Sequence, residues 1–333
     1  MKIMSVLPLL SKGKNFMALD FSNCEIRSPV DPLELRRLYE MLAEVFPVER
    51  KLFQDIISGA HTLYNWEPHT LYQGDEPLGN VSIVMFHLQN GSRLLKTAGI
   101  ASVATPERYR GMGVAKQLMN HVLKVIDAQN LPSILFTSLP RVYTGLGYQL
   151  VEQGLKQTAV KTLDRTEELS IRRLTRLNKE ALGTAEKLYS RLFPHDGKLF
   201  RDEEYWRRYC SSVKNSDKVE FAFCSRGDKA VGYARLEYES DRVLLNEFYA
   251  PAESSEINTA LWNWACSAAK EKGKDLISIA LPQVHGLWVF LGKNCLEVEP
   301  ETGVEREVFM VRMPKHEPIK WLSGLRWSLS DKF

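Results

Sequence analysis

Paired thiols are missing from this sequence. Its five cysteines, Cys24, Cys210, Cys224, Cys266 and Cys295, are widely spaced and form no CxxC pair, which excludes a thiolate zinc knuckle, a redox dithiol and a regular disulfide framework. A reducing cytoplasm is the compartment that fits, and no metal site is expected. Long apolar runs are missing too: no stretch approaches the ~20 residues of a membrane-spanning helix, so no membrane role is expected. Nor is there an excess of one charge. Lys and Arg number 44 against 41 Asp and Glu, for a net charge of +3, with both signs mixed along the chain, so nucleic acid is not an expected partner. The first residues, MKIMSVLPLLSKGKNF, begin like a signal peptide, but Pro8 interrupts the apolar stretch and no small-residue cleavage site follows. Export is therefore not expected, and Met17 offers an alternative start.

What is present is the composition of a water-soluble globular protein, 44% apolar and 26% charged. At 333 residues the chain is too long for one ordinary core and suits two domains of roughly 150 residues each. DPLELRRLYEMLAEVF places Leu33, Leu35, Leu38, Met41, Leu42 and Val45 at helical spacing, and VERKLFQDIISG continues as a second helix. HTLYQ, VSIVMFHL and LLKTAGIASVAT predict a three-stranded meander with breaks at Asp75 and Gly91. VAKQLMNHVLKVIDAQ puts Val114, Leu118, Met119, Val122 and Ile126 along one face of a long helix. A strand SILFTS, a short helix or turn RVYTGLG and a strand YQLVEQ follow.

The second half runs through the same order. It reads as strand LSIRRL, helices EALGTAEKLYSRLF and EEYWRRYCSSV, strands VEFAFC, AVGYARLEY and RVLLNEFYA, helix INTALWNWACSAAK, strand LISIALP and closing strand VFMVRM. The repeat is aligned by one local match, LPRVY at Leu139 to Tyr143 against LPQVH at Leu281 to His285, 142 residues apart. The boundary is expected in the charged stretch KTLDRTEEL. The expected division is an N-terminal segment 1–22, a first domain 23–164, a second domain 165–316 and a tail 317–333. The expected fold class is α/β of the α+β type: two mixed, mostly antiparallel sheets flanked by helices. In the tail, Trp321, Leu322, Leu325 and Leu329 form an apolar stripe beside Lys320 and Arg326. It is expected to pack on the second domain, with contact between copies in a homo-oligomer as the alternative.

One difference between the halves is informative. From Arg93 to Leu139 the first uses 46 residues, and from Arg242 to Leu281 the second uses 39; the segment it lacks is PERYRGMG. In the first half that segment opens the long helix. The first turn of a helix carries amides without intrahelical partners and a positive field, both of which suit a phosphate. No Ser, Thr, Asp or Asn stands there to cap it, while Gly111 and Gly113 permit close approach of the backbone, and Arg108, Arg110 and Lys116 add charge. Neither a Walker loop nor a GxGxxG dinucleotide fingerprint is present in this segment. On composition alone, a phosphate loop and a plain glycine turn both remain open.

The motif Arg110-Gly111-Met112-Gly113-Val114-Ala115 resembles the R/Q-x-x-G-x-G/A signature of GNAT acetyltransferases, between the fourth strand and third helix as in that family. A shifted frame, Arg108-x-x-Gly111-x-Gly113, fits less well with where the apolar helical stripe begins. The resemblance covers nearly the whole chain and is strongest toward the tandem Eis-type enzymes, through VYTGLGY and LYSRLFPHDGKLFRDEEYWRRY. The departure is that Eis-type proteins continue into a third, sterol-carrier-like domain, for which this sequence is not expected to have a counterpart.

The resemblance implies acetyl-CoA as cosubstrate. It places backbone groups of Val103, Ala104 and Thr105 on the pantetheine arm and thioester, and Arg110 through Ala115 on the pyrophosphate. Ser138 and Leu139 then lie near the arm, and Tyr143 protonates the leaving thiolate. For Tyr143 the structural alternative is a buried aromatic with its hydroxyl bonded to backbone; Tyr148 reads as packing. His285 stands where Tyr143 stands in the first half, with no phosphate loop to serve. No base declares itself in RLLKTAGIASVAT, leaving His87, Glu107 or a water chain. Eis-type enzymes use a terminal carboxylate for this role, which does not transfer to Phe333. The expected function is an N-acetyltransferase acting on a primary amine of a small molecule or peptide, with the second domain shaping the acceptor cleft. The alternative is an acetyl-CoA-binding sensor without turnover.

Overall fold

In a computed structural model of the chain the described residues are 19–58, 65–90, 92–151, 156–164, 169–192, 198–203, 205–206, 218–281, 286–300 and 308–314. The N-terminal residues 1–18, His285, the tail 317–333 and most of the EEYWRRYCSSV helix lie outside them.

A short strand β1 (Cys24–Arg27) precedes helices α1 (Pro32–Val45) and α2 (Arg50–Ile57). Helix α1 starts where Asp31 accepts bonds from the amides of Leu33 and Glu34, with Pro32 as its first residue. Leu38, Met41, Leu42 and Val45 are buried as their spacing predicts, whereas Leu33 is exposed. Strands β2 (Trp66–Gln73), β3 (Glu76–Asn90) and β4 (Arg93–Ala104) form the antiparallel meander. Helix α3 (Val114–Ala128) then buries Val114, Leu118, Met119, Val122, Leu123 and Ile126 against the sheet. Its first turn lies directly on β3 because position 79 is glycine: a Cβ there would stand 2.6 Å from Val114 Cγ1 and 2.8 Å from the Ala104 carbonyl. Strand β5 (Ser133–Thr137), helix α4 (Pro140–Thr144) and strands β6 (Gln149–Val151) and β7 (Lys156–Ala159) follow.

The second half comprises β8 (Ser170–Leu174), α5 (Lys179–Leu192), β9 (Lys198–Leu199), β10 (Val219–Arg226), β11 (Lys229–Tyr238) and β12 (Val243–Tyr249). It continues as α6 (Ser255–Glu271), β13 (Leu276–Ile279), α7 (Gly286–Lys293), β14 (Glu299–Pro300) and β15 (Val308–Arg312). Strands β1, β7, β9 and β14 and helix α7 are not marked by the sequence pattern.

Two sheets of matching order result. One runs β1-β2-β3-β4-β5-β15-β6, with β9 joined to β3; the other runs β8-β10-β11-β12-β13-β7-β14. In each, one pair is parallel, β4 with β5 and β12 with β13. The fold is thus mixed α/β with two sheets flanked by helices.

The halves exchange a strand, which corrects the reading of VFMVRM as the strand closing the second sheet. Strand β15 lies between β5 and β6 of the first sheet, and β7, from the first half, lies between β13 and β14 of the second. Neither sheet is therefore drawn from one side of a boundary at residue 164. Burial explains the placement of β15: Phe309, Met310 and Val311 are each 1% exposed, so both faces are apolar, as a central strand requires. Among the described residues no helix is long and apolar enough to cross a membrane.

Candidate active site

Strands β4 and β5 pair only at Ala98 with Ser133 and Gly99 with Ile134. Beyond these pairs β4 continues to Ala104 and β5 to Thr137, so the sheet opens into a cleft edged by main chain. The register of β4 on β3 slips at the same level, from Ser82 opposite Ala101 to Asn80 opposite Ala104. This is a bulge, with Ser102 at φ +48°. Val103, Ala104 and Thr105 lie just past it on one edge of the cleft, and Ser138 and Leu139 follow β5 on the other. The Leu139 amide donates to Thr137 Oγ1 at 2.9 Å. Thr105 is buried, and its Oγ1 has no hydrogen-bond partner among the described residues.

From Thr105 the chain turns through a short 3-10 segment, Glu107–Tyr109, into Arg110, Gly111 and Met112, and α3 begins after Gly113. Gly111 and Gly113 have φ of +80° and +91°, the left-handed region that favours glycine. No side chain caps α3, and its first backbone bond runs from the Gln117 amide to the Gly113 carbonyl at 3.0 Å. The amides of Val114, Ala115 and Lys116 precede that bond and point out of the helix end, with the positive end of the dipole behind them.

The two frames of the arginine motif separate here. Arg108 is committed to carboxylates, Glu44 at 3.1 Å and Glu76 at 3.4 Å, with the Tyr109 hydroxyl donating to the same Glu76 oxygen at 2.6 Å. Arg110 folds over the loop instead, its Nε donating to the Thr105 carbonyl at 3.2 Å. Arg108 thus ties the loop to α1, and Arg110 stays at the cleft. The Phe21 ring, which the sequence did not single out, lies 3.7 Å from where a Cβ on Gly113 would be.

Tyr143 sits near the end of α4, 2% exposed, within the core cluster that contains Val114, Leu118 and Leu135. Burial pushes its hydroxyl pKa up to about 12. No hydrogen bond to that hydroxyl occurs among the described residues, so the alternative of a backbone-bonded structural tyrosine gains no support. Tyr148 meets Tyr143 edge to face at 6.1 Å and bonds through its hydroxyl to Ser133 Oγ at 2.7 Å, a packing role. The turn after Tyr143 is held from the far end of the chain. Arg312 on β15 donates through Nε to the Leu146 carbonyl at 3.1 Å and forks onto Asp127 at 2.6 and 2.8 Å.

Of the candidate bases, His87 is exposed and pairs with Lys96, eight residues along β4 from Ala104. At ~3.3 Å per residue that is too far from the cleft for proton transfer. Glu107 is exposed on the loop. Among the described residues no group of three or more His, Cys, Asp or Glu could hold a metal ion.

The equivalent loop of the second half is closed upon itself. Asn258 donates to the carbonyls of Pro251 at 2.9 Å and Ser254 at 2.7 Å, and Glu256 places a carboxylate in the first turn of α6. The β12–β13 ladder runs through three residue pairs and is extended by a bond from the Ala280 amide to the Leu245 carbonyl at 2.9 Å.

The site thus comprises a sheet parted beside a bulge and leading into an uncapped helix start with left-handed glycines, an arrangement of main-chain amides that can take an anion. Residues 27–151 match the model of the acetyltransferase (GNAT) domain family. A GCN5-related N-acetyltransferase from Anabaena variabilis superposes with a TM-score of 0.67 at 18% identity, covering 87% of this chain and 72% of that one. Eis1 from Mycobacterium abscessus gives 0.60 at 16% identity over 93% and 83%. A tandem GNAT protein from the clavulanic acid biosynthesis pathway gives 0.54 at 11% identity over 89% and 100%. No curated protein matches the chain in sequence. Residues 27–151 are thus matched as a GNAT acetyltransferase domain, and the chain as a whole shares its fold with tandem GNAT proteins.

Proposed function

We propose that this chain transfers an acetyl group from acetyl-CoA to a primary amine of a small molecule or peptide, by direct attack of the amine on the thioester. The observation that carries the reading is the bulged edge of β4, parted from β5 and running directly into the uncapped start of α3. The residues fit the cosubstrate. Arg110, Gly111, Met112, Gly113, Val114 and Ala115 offer amides and charge to the pyrophosphate. The orphaned Thr105 Oγ1 and the backbone of Val103 and Ala104 face the acyl arm, and Ser138 and Leu139 line its other side.

The chemistry asks Tyr143 for a proton as the C–S bond breaks. With its pKa pushed up to about 12, the phenol is protonated throughout the neutral range and always available as a donor. Full transfer to a thiolate of ordinary pKa, about 8.5, would be uphill by roughly 5 kcal/mol. Tyr143 therefore acts mainly by a hydrogen bond to sulfur that strengthens as negative charge develops, with solvent completing the protonation. The amine loses its proton to water reached through the open cleft. A reducing cytoplasm is the compartment proposed with this reading, in keeping with the free thiols of Cys24, Cys224, Cys266 and Cys295.

The test is a panel of primary amines assayed for coenzyme A release, with Tyr143→Phe beside the parent. A hydrogen bond that strengthens on developing charge is worth about 10²–10³-fold, so the variant should bind acetyl-CoA normally and turn over at least tenfold more slowly. A loss below about threefold, with chemistry rate-limiting, assigns Tyr143 to packing. No coenzyme A release from the parent with any amine favours a ligand-sensing module instead.

A further inference from the structure

The bulge in β4 is held by a side chain from the neighbouring strand. Asn80 on β3 is fully buried, as are Thr70 on β2 and Ser82, and Ser102 is 2% exposed. Thr70 Oγ1 donates to Asn80 Oδ1 at 2.9 Å, and Asn80 Nδ2 donates to Ser82 Oγ at 2.8 Å and to the Ser102 carbonyl at 3.0 Å. Three of the four hydrogen-bonding positions of the amide are thus filled, and they fix which way it faces. Turned over, it would set its own oxygen against the Ser102 carbonyl.

The Ser102 carbonyl needs this partner because the ladder fails there. Between the pairs Ser82 with Ala101 and Asn80 with Ala104, β4 contains one more residue than β3. Main chain in the extra stretch has no regular cross-strand mate, and Ser102 is held at φ +48°. Asn80 replaces the missing ladder bond from the side, inside a dry core where an unpaired carbonyl is costly. Past the bulge Ala104 pairs with Asn80 again, and the backbone of residues 103–105 runs along the edge parted from β5.

We propose that Asn80 is a positioning residue for acyl transfer. By holding the Ser102 carbonyl, it aims the backbone of residues 103–105 at the thioester, while the pyrophosphate cradle at the start of α3 stands independently of it. The inference rests on the acetyl-transfer reading above. It divides the machinery in two, a loop that binds the carrier and a bulge that orients the reacting group, and Asn80 serves only the second.

The experiment compares the parent with Asn80→Leu, which keeps the branched shape with some added bulk and loses every hydrogen bond, and with Thr70→Val, which only releases the amide from its anchor. Coenzyme A affinity by calorimetry, kcat and KM for acetyl-CoA, and amide hydrogen exchange along the chain are measured on each. The expected result for Asn80→Leu is coenzyme A affinity within threefold of the parent, kcat lower by more than tenfold, and faster exchange confined to residues 100–105. Thr70→Val should move the same way by less, and it decides the matter if the leucine form does not fold. Unchanged kcat in a folded variant, or coenzyme A affinity falling in step with kcat, overturns the proposal. If the parent itself shows no turnover, the acetyl-transfer reading fails separately. Exchange then decides the rest: faster exchange confined to residues 100–105 supports the positioning of that backbone, and unchanged exchange overturns it.

Discussion

At Gly113 the backbone stands at φ +91° immediately before α3, and a Cβ there would meet only the Phe21 ring, at ordinary contact distance. Space is therefore not what restricts this position in the free protein; conformation is. A β-branched residue in the left-handed region costs about 1–2 kcal/mol, and the loop can relieve that strain only by re-aiming the amides of residues 114–116. Gly113→Val should weaken acetyl-CoA binding at least tenfold by calorimetry while the melting temperature falls by no more than a few degrees. Normal affinity would move the pyrophosphate cradle elsewhere. Gly113 could be singled out from the sequence as a candidate because its motif is local, and so could Tyr143, which closes an aligned five-residue stretch. Asn80 and Arg312 could not. Their partners lie 22 and 185 residues away, and no periodicity marks a side chain whose function is to satisfy a distant carbonyl or carboxylate.

At the level of elements, long periodic segments read correctly, since α3 and the meander bury the faces their spacing predicts. What failed was assignment between sheets. VFMVRM is a strand by composition, and an apolar run can close either sheet; only the third dimension shows that β15 belongs beside β5. That placement gives β15 a task in the first domain, because Arg312 bridges the end of α3 at Asp127 and the turn that follows Tyr143. Arg312→Ala removes three hydrogen bonds, two of them between charged groups. It should cost about 1–3 kcal/mol of stability, moderated by the half-exposed carboxylate. Because the turn carries Tyr143, kcat should fall severalfold with acetyl-CoA affinity unchanged. Arg312→Lys should not restore it, since a lysine cannot bridge two groups as the planar fork does. An Arg312→Ala protein with parental kcat would show that the turn's own backbone bonds suffice.

For the molecule as a whole, the exchange of β7 and β15 joins the two sheets. The first sheet lacks a central strand without residues 308–312, and β9 adds a second contribution from the same half through Leu199 against Leu88. Burying Phe309, Met310 and Val311 contributes about 1.5–3 kcal/mol each, and stripping β15 away would leave the inner edges of β5 and β6 unpaired. The halves should therefore unfold together, although among the described residues the first has an uncapped helix start where a phosphate cradle is proposed and the second has its loop bonded to Asn258. Scanning calorimetry should show one transition. Acetyl-CoA at a hundredfold above its Kd should stabilise that whole transition by about 2.7 kcal/mol, and titration calorimetry should count one site per chain. Two transitions with only the first shifted by ligand would mean that the exchanged strands do not couple the halves. Two equivalent sites would mean that the second loop can open despite the bonds that close it.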